Sequence, residues 1–371
     1  MDIKTTYPIN SKRLISTFIN LASIPSPSWN EHKVIAYIEK RLKKLGIKFE
    51  KYSCGASFNL LSVLDGGSPK KPVLLSAHMD TVTPCDKVNP IISGGKIMSD
   101  GTSVLGSDNK AAIAMFLEAF EVMRENSMPH GRIEMLLSCA EEVGLCGAKN
   151  FDISLLKAKT GYVLDSSGPI GAMILKAPYQ YDLKLIVKGK AAHAGMEPEK
   201  GVNAIAALAG IISKLPNGRL DHETTINAGI ISGGHATNVV APEASCLFEM
   251  RSIDVKKIKE LERNVRETAK QVCASFGARL YIEKTVQYHG FILKKNNPVV
   301  KYAEKAMRAV NIKPLYASSG GGSDTNIFNK SQINAVNLSS GMNNVHTTSE
   351  FIKIKDMIKG ADLVLSLIDC A

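Results

Sequence analysis

The sequence predicts an α/β protein whose mostly parallel central sheet is interrupted by an inserted α+β domain. Short aliphatic runs alternate with segments of helical periodicity, which is typical of parallel strands buried on both faces. These runs are residues 73–76, 133–137 and 161–164. The chain has 371 residues, more than one ordinary domain. We therefore predict one domain formed by residues 1–177 and 291–371, and an inserted domain at residues 178–290.

The first helix is predicted within the apolar stretch that follows Lys12 and Arg13. The two charges and the run LISTFINLASI resemble a secretory leader, but the run contains Ser, Thr and Asn and lacks a small-residue cleavage site. It continues through PSPS into an amphipathic helix around residues 31–45. We therefore interpret it as a core helix. Because the sequence contains no run of 18 apolar residues, we predict no membrane span.

The first buried strand, residues 73–76, leads to His78 and Asp80 at its carboxyl end. Residues two apart on an extended backbone share a face. Asp80 is therefore expected either to bind a metal beside His78 or to hydrogen-bond the second ring nitrogen of His78 and fix its tautomer. We favour the second role.

Four more acidic residues lie at the ends of predicted elements. Asp108 comes just before an Ala-rich helix, Glu141 and Glu142 follow the second strand, and Asp165 ends the third. Neighbouring residues in an extended segment point to opposite sides, so we expect one Glu to bind a metal and the other to face the substrate. Open α/β sheets place their ligand sites at such strand ends.

With His346, these residues form a set of two imidazoles and four carboxylates. The set is His78, Asp108, Glu141, Glu142, Asp165 and His346. Each residue alone has an ordinary explanation, such as a helix cap or a solvated charge. Together, five of them suffice to hold two divalent metals with one carboxylate shared, and the sixth remains as a base. Nitrogen and oxygen ligands without a thiolate suit zinc, manganese or cobalt. The set therefore predicts metal-assisted hydrolysis.

Residues 178–290 carry their own α+β pattern. The predicted strands are YDLKLIVKGK, TTINAGIIS, ASCLFEMRS and ARLYIEKTVQ, and the predicted helices are VNAIAALAGIISKL and VKKIKELERNVRETAKQVCASF. Two helices packed against a four-stranded antiparallel sheet form a common sandwich.

The composition narrows the class of protein. The net charge of +11 raises the question of nucleic-acid binding. However, basic and acidic residues alternate along helix surfaces, aromatic content is 6%, and no nucleic-acid motif is present, so we predict no such partner. The seven cysteines are odd in number and contain no CxxC spacing, which disfavours a disulfide framework or zinc knuckle. A reduced, cytoplasmic protein is expected.

Ten short segments spread over nearly the whole chain form a recognisable set. They are FINLASIPSPSWNE, SAHMDTV, GTSVLGSDNKAAIA, AEEVGLCGAK, VLDSSG, KAAHAGMEPEKGVNAI, GGHATNVVAPEA, EMRS, SGGGSDTNIFN and GMNNVHTTSEF. In this order they resemble the M20 family of co-catalytic metallopeptidases, most closely its peptidase T (tripeptide aminopeptidase) and peptidase T-like branch. The resemblance implies a zinc-peptidase-like catalytic domain with an inserted dimerisation or lid domain.

The resemblance also implies a role for each residue of the set. His78 and Asp165 would bind one metal, Glu142 and His346 would bind the other, and Asp108 would bridge them. Two divalent ions, preferably Zn²⁺ with Mn²⁺ or Co²⁺ as alternatives, are therefore expected in each chain.

The same resemblance assigns Glu141 as the general acid/base and Asp80 as the residue that orients His78. It further implies a cis peptide bond between Asp108 and Asn109. The family often has a second Asp where this chain has Asn109, so the metal preference stays open.

Three residues of the insert are implied to act on the substrate. His193 in KAAHAGMEP would reach the active site of the other subunit of a homodimer and stabilise the oxyanion. Asn238 and Arg251 would hold the backbone or carboxylate of the substrate, a contact that suits the planar guanidinium. The alternative for Arg251 is a surface salt bridge. The loop Gly320–Gly322 lacks the Lys and spacing of a phosphate loop, so it predicts a tight turn or close approach to a peptide.

These expectations combine into a cytoplasmic, homodimeric metallo-aminopeptidase that removes the N-terminal residue from short peptides, with tripeptides as the expected substrates. The alternatives are an N-acyl amino acid deacylase or carboxypeptidase-like hydrolase of the same family, and a non-catalytic binding protein that kept the fold. Loss of Glu141 or of a metal ligand would indicate the last alternative, and the sequence retains them all.

Overall fold

The computed structural model describes residues 7–370 and divides into two compact units. The insert unit comprises Lys176–Ile292 and Ser319–Gly322, and the main unit comprises the rest of the described chain. The insert predicted from the sequence, residues 178–290, is two residues shorter at each end. Residues 1–6 and 371, which the prediction places in the first domain, lie outside the described residues.

The α-helices of the described chain are numbered in chain order. They are α1 (Ser11–Ala22), α2 (His32–Leu45), α3 (Ser107–Glu125), α4 (Cys146–Asn150), α5 (Ala204–Lys214), α6 (Val255–Phe276), α7 (Pro298–Ala309), α8 (Asp324–Lys330) and α9 (Ile354–Cys370).

The strands are numbered in the same way. They are β1 (Lys48–Cys54), β2 (Ser57–Leu64), β3 (Val73–His78), β4 (Ile91–Ser93), β5 (Lys96–Met98), β6 (Ile133–Ser138), β7 (Thr160–Ser166), β8 (Ala172–Ala177), β9 (Tyr179–Lys188), β10 (Gly218–Arg219), β11 (Thr224–Gly233), β12 (Glu243–Ser252), β13 (Arg279–Tyr288), β14 (Phe291–Ile292), β15 (Leu315–Ser318), β16 (Asn334–Ser339), β17 (Met342–Asn343) and β18 (Phe351–Lys353).

The main unit contains a mixed central sheet with the strand order β1-β2-β6-β3-β7-β16-β8. The four strands β6, β3, β7 and β16 pair in parallel, as predicted. The flanking pairs β1-β2, β2-β6 and β16-β8 are antiparallel, so the sheet as a whole is mixed rather than mostly parallel. A second, small sheet has the order β17-β18-β5-β4.

The aliphatic runs of the sequence form the centre of this sheet because they can be buried on both faces. All six residues of β3 and all six of β6 are buried. Helix α3 packs on β3 and β7 and also contacts α1, α2 and α9. Because β3 pairs in parallel with β6 and β7, the carboxyl ends of these three strands lie side by side.

Local signals fix the ends of the first helices. The side chain of Asn10 accepts a hydrogen bond from the N–H of Arg13 and so caps α1, while Gly46 ends α2 in the left-handed region with φ +72°. The apolar stretch that resembled a leader is a core helix, since Leu14, Phe18 and Leu21 are fully buried.

The insert unit is the predicted α+β sandwich. Strands β11, β12, β9 and β13 pair antiparallel, and α5 and α6 pack on this sheet. Residues of β12 alternate between buried and partly exposed positions, so one face of the sheet packs on the two helices. The structure adds a fifth, two-residue strand, β10, at the β11 edge, which is too short to give a sequence signal.

Among the described residues, no helix is long and apolar enough to cross a membrane.

Candidate metal centre

Three neighbouring strands bring most of the predicted ligands together. His78 is the last residue of β3, Glu141 and Glu142 follow β6, and Asp165 lies near the end of β7. Because β3 pairs in parallel with both β6 and β7, these carboxyl ends meet at one edge of the sheet. The sequence-based placement of the site at strand ends agrees with this geometry.

Asp108 lies between the two histidines. One of its carboxylate oxygens is 3.1 Å from Nε2 of His78, and the other is 3.2 Å from Nε2 of His346. Asp165 is 3.4 Å from Nε2 of His78, and Glu142 is 3.0 Å from Nε2 of His346. The five predicted ligands therefore form two clusters that share Asp108.

This donor set fits divalent metal ions. Single atoms of His78, Asp108 and Glu142 lie within 4.8 Å of one another, which is close enough to surround an ion. The donors are imidazole nitrogens and carboxylate oxygens, the mixture that suits zinc, manganese and cobalt. His78 is buried, whereas half of the His346 side chain is exposed, so the centre is open on one side.

The pKa values of His346 and Asp165 are both raised, which indicates that negative charges outnumber positive charges at this centre. Hydrogen bonds to Asp108 and Glu142 raise the pKa of His346 to about 10. Burial raises the pKa of Asp165 to about 8, even though His78 lowers it. Both groups therefore retain protons at neutral pH in the protein alone. Because imidazole must lose its proton to bind a metal, metal binding at this centre releases protons.

Glu141 occupies a different environment from Glu142. Its side chain is 8% exposed, and burial together with the charge of Asp165 raises the pKa of Glu141 well above its usual range. Glu142, in contrast, contacts His346. The two neighbours therefore face different partners, although they lie in a turn and not in the extended segment that the sequence-based argument assumed.

Asp80 contacts His78 and also organises the Glu pair. The nearest acceptor to Nδ1 of His78 is the main-chain carbonyl of Asp80 at 2.9 Å, while the Asp80 carboxylate is 3.5 Å away. That carboxylate accepts hydrogen bonds from the N–H groups of Glu141 (2.9 Å) and Glu142 (3.1 Å) and from Ser28 Oγ (2.7 Å). Asp80 thus orients His78 mainly through its backbone, and its side chain holds the turn that carries the Glu pair.

Three buried acidic residues near the site were not assigned a role from the sequence. Glu31 accepts a hydrogen bond from the N–H of Ala140, and Glu350 accepts several from the loop that precedes Asp108. Asp324 accepts one from Ser138 Oγ, and burial raises the pKa of Asp324 to about 6. Glu31, Asp324 and Glu350 lie within the motifs of the sequence, but no local pattern indicates their partners.

The peptide bond between Asp108 and Asn109 is cis, as expected. The side-chain amide of Asn109 is fully buried, and neither its nitrogen nor its oxygen has a hydrogen-bond partner among the described residues.

The three candidate residues of the insert unit are described separately. Nδ1 of His193 accepts hydrogen bonds from the N–H groups of Gly195 and Met196, both at 3.2 Å. The main-chain carbonyl of Asn238 accepts one from Ala194, so His193 and Asn238 lie on adjoining loops. In the neutral ring of His193 the proton therefore resides on Nε2.

Arg251 forms two hydrogen bonds with Glu249, at 2.7 and 3.0 Å, and one with the carbonyl of Gly320 at 3.2 Å. Arg251 therefore does form a salt bridge with a neighbour on its own strand, as its alternative interpretation expected. The third contact ties Arg251 to the glycine loop, where Gly322 donates to the hydroxyl of Tyr288 and a Cβ at Gly322 would lie 2.4 Å from the Tyr288 ring. The loop is therefore a tight turn that requires glycine at this position.

Comparison with known proteins gives consistent results over the whole chain. A family profile described as the peptidase dimerisation domain matches residues 181–276. An uncharacterised protein of Bacillus subtilis, YqjE, is 36% identical over 97% of this chain and 99% of its own length. The crystal structure of aminopeptidase PepT from Bacillus cereus is 36% identical, with a TM-score of 0.88 over 98% of this chain and 99% of that one. That of a tripeptidase from Staphylococcus aureus is 35% identical, with a TM-score of 0.91 over 97% and 98%.

The fold and these likenesses define a metallopeptidase with a dimerisation domain. The chain belongs to the M20 family of metallopeptidases, in its peptidase T-like branch. The family resemblance deduced from the motifs is thereby confirmed, and so is the predicted α/β class with an inserted dimerisation domain.

Proposed function

We propose that this protein is a dinuclear aminopeptidase that removes the N-terminal residue from tripeptides. The observation that carries the proposal is the position of Asp108, whose two oxygens face His78 and His346 separately. The whole-length likeness to an aminopeptidase and a tripeptidase supports the substrate class.

Each residue of the centre has a role in this proposal. His78 and Asp165 would hold one ion, Glu142 and His346 would hold the second, and Asp108 would be shared between them. Zn²⁺ is the proposed metal, with Mn²⁺ and Co²⁺ as alternatives. When bound, the two ions supply activation of a water molecule and neutralise the charge that develops on the substrate oxygen.

Glu141 performs the proton transfers. Its buried carboxylate takes a proton from the attacking water and delivers it to the leaving amine, which requires a carboxyl group whose pKa lies closer to neutrality than usual. The raised pKa of Glu141 supports this assignment, and burial is its main cause. Asp80 keeps this base in place because it binds the backbone N–H of Glu141.

The insert unit contributes to dimerisation and to substrate binding in this proposal. Residues 227–233 of β11 lie beyond the pairing with the two-residue strand β10, and Ile230 and Ile231 in that segment are 63% and 62% exposed. An unpaired edge with exposed isoleucines is a typical surface for self-association. We infer a homodimer that associates through this unit, which agrees with the matched dimerisation domain.

His193, Asn238 and Arg251 are the proposed substrate contacts of the insert unit. The hydrogen bonds at Nδ1 leave the Nε2–H of His193 available to donate to an oxyanion of the partner subunit. Arg251 would bind the free carboxylate of the peptide together with Asn238. The protein is proposed to act in the cytoplasm, and all seven cysteines are unpaired thiols in the described chain.

A substrate panel tests the proposal. Purified protein loaded with Zn²⁺, Mn²⁺ or Co²⁺ is assayed against dipeptides, tripeptides, tetrapeptides and N-acetylated amino acids, and products are identified by mass spectrometry. We expect release of the first residue from tripeptides at the highest kcat/KM. Faster cleavage of N-acetylated substrates would identify a deacylase, and release of the last residue would identify a carboxypeptidase. No turnover of any substrate would favour a binding protein.

A further inference from the structure

We propose that Glu350 is a positioning residue that aligns the bridging Asp108 with His346 and thereby sets the affinity of the metal pair. The inference deepens the proposed function and rests on its two-metal centre. It identifies a carboxylate that binds no metal itself but connects the two chain segments that supply the bridge and the ligand His346.

Four consecutive residues donate to the carboxylate of Glu350. Its Oε2 accepts the N–H groups of Leu105 and Gly106, both at 2.8 Å. Its Oε1 accepts the hydroxyl of Ser107 at 2.5 Å and the N–H of Asp108 at 3.0 Å. The last of these donors belongs to the bridging residue itself, so the backbone of Asp108 is fixed directly by Glu350.

The backbone of Glu350 holds the other segment. Its N–H donates to the carbonyl of Thr347 at 3.2 Å and closes a turn that directly follows His346, a residue with φ +64°. Its carbonyl accepts the N–H of Ser99 at 3.1 Å. A non-glycine residue in the left-handed region needs support from its surroundings. Glu350 supplies part of that support, so one residue restrains both the loop that carries Asp108 and the segment that carries His346.

The charge of Glu350 matters as much as its shape. The residue is 1% exposed, and a buried carboxylate is costly unless several donors compensate it. Charge-assisted hydrogen bonds provide that compensation here. In Glu350→Gln, one oxygen becomes an NH₂ group that faces at least one backbone N–H, so at least one of the contacts becomes repulsive even though the Ser107 hydroxyl can turn to accept. The loop 105–108 then loses its fixed position while every proposed metal ligand remains present.

A matched control exists in the same unit. Glu134 is also fully buried, and its carboxylate accepts the N–H groups of Lys157 (3.1 Å) and Ala158 (2.9 Å) and the Nε–H of Arg132 (2.7 Å). None of these partners is a proposed metal ligand. Glu134→Gln therefore reproduces the loss of a buried, amide-bound carboxylate without disturbing the centre.

The test measures metal binding without any peptide. Zn²⁺ and Mn²⁺ are titrated calorimetrically into the metal-free full chain of the wild type, Glu350→Gln and Glu134→Gln. We expect Glu350→Gln to weaken the binding of both ions by roughly 10- to 100-fold, the usual effect of removing a partner outside the ligand sphere. Glu134→Gln should lower the melting temperature but keep the wild-type affinities. In the metal-saturated enzyme, Glu350→Gln should lower kcat more than it raises KM.

Equal metal affinities in Glu350→Gln and Glu134→Gln would overturn the proposal, since Glu350 would then be a structural residue only. If Glu350→Gln does not fold, Glu350→Asp replaces it, because this variant keeps the charge but is one methylene too short to reach all four donors. A folded Glu350→Asp with wild-type affinity also overturns the proposal. A wild type that binds two ions but cleaves no tripeptide refutes the proposed function and leaves this inference intact. A wild type that binds no pair of ions refutes both.

Discussion

The candidate residues of the main unit differ from those of the insert unit in their burial and in their hydrogen-bond partners. In the main unit, Glu31, Asp80 and Glu350 are at most 1% exposed, and the carboxylate of each accepts at least one backbone N–H from the loops that carry the candidate ligands. In the insert unit, Asn238 is exposed and Arg251 is partly exposed and paired with a neighbour on its own strand.

This difference is consistent with two separate structural requirements, one for metal binding and one for substrate binding. Metal ligands have to be held in one geometry before the ions arrive, so the surrounding backbone is fixed by buried charges. The proposed contacts with a peptide would have to form and break in each catalytic cycle, which suits side chains on loops or on a partly exposed strand. Substitutions of the candidate ligands and of their supports in the main unit are therefore expected to affect metal binding, and substitutions of the candidate residues in the insert unit are expected to affect turnover or substrate preference without changing metal binding.

The largest effect is expected for Asp108→Ala. This variant removes a group shared by both clusters, so the affinity for both ions should fall by more than the roughly 100-fold that loss of an outer partner costs. His346→Ala should mainly weaken one ion, because its other contact is with Glu142. Elemental analysis after dialysis at fixed free metal measures both. Loss of only one ion in Asp108→Ala would contradict the bridging role.

Glu141→Gln should separate chemistry from metal binding within the main unit. The variant keeps the shape of the side chain but removes the proton acceptor, so kcat should fall by roughly 10² to 10⁴. The metal content should stay at the wild-type level, which elemental analysis checks. Glu142→Gln is the control and should lose metal. Full activity in Glu141→Gln would show that the roles within the Glu pair are assigned wrongly.

His193→Ala tests whether the insert unit acts on turnover alone. Loss of one oxyanion donor should lower kcat by about 10² to 10³ without changing the metal content or the melting temperature. His235→Ala, a second exposed histidine of the same unit, should keep full activity.

Mixing His193→Ala chains with Glu141→Gln chains extends this test to the dimer. Subunit exchange would create heterodimers in which one site combines a wild-type Glu141 with a wild-type His193 from the partner. Recovered activity supports a shared site. If heterodimers are detected by mass spectrometry and activity stays low, His193 acts within its own subunit or outside catalysis.

Arg251→Ala should remove discrimination for the peptide carboxylate. The wild type is expected to prefer a free tripeptide over its C-terminal amide by about 10-fold or more in kcat/KM, because charge-assisted hydrogen bonds contribute about 1.5–3 kcal/mol. The preference should vanish in Arg251→Ala. Glu249→Gln removes the present partner of Arg251 and should keep the preference. An unchanged preference in Arg251→Ala would leave Arg251 as part of a salt bridge only.

The smallest effect concerns a main-unit carboxylate that has no donors. Asp362 makes no hydrogen bond through its carboxylate among the described residues, and burial raises the pKa of Asp362 to about 6. Its folded-state pKa exceeds the unfolded value of 3.8, so the protein loses stability as the pH rises through this interval. Asp362→Asn should raise the melting temperature at pH 7 and leave it unchanged at pH 4. Asp369→Asn, which loses an ion pair with Lys70, should lower it at pH 7.

The sequence predicts those parts of the protein that depend on local patterns. The aliphatic runs identified β3, β6 and β7, and the alternation of polar and apolar residues identified β9, β11, β12 and β13. Because the ligands lie at the ends of such elements, their convergence could also be expected.

The remaining features depend on contacts between distant segments. Glu350 binds a loop that lies more than 240 positions earlier in the chain, and nothing in HTTSEF indicates that partner. The antiparallel strands β1 and β2 carry a mixed polar pattern, so their place in the sheet follows from tertiary packing. Likewise, the carboxylate of Asp80 accepts hydrogen bonds from the N–H groups that follow β6, and the ring of His78 is not its closest contact.

The carboxylate of Asp80 binds the backbone of both Glu141 and Glu142. The proposed base and the proposed ligand therefore share one support and shift as a pair. An ion of larger radius that displaces Glu142 would displace Glu141 with it and change its distance from the attacking water. A change of metal is therefore expected to change the pH profile of the reaction as well, because the proposed ligand and the proposed base share one support.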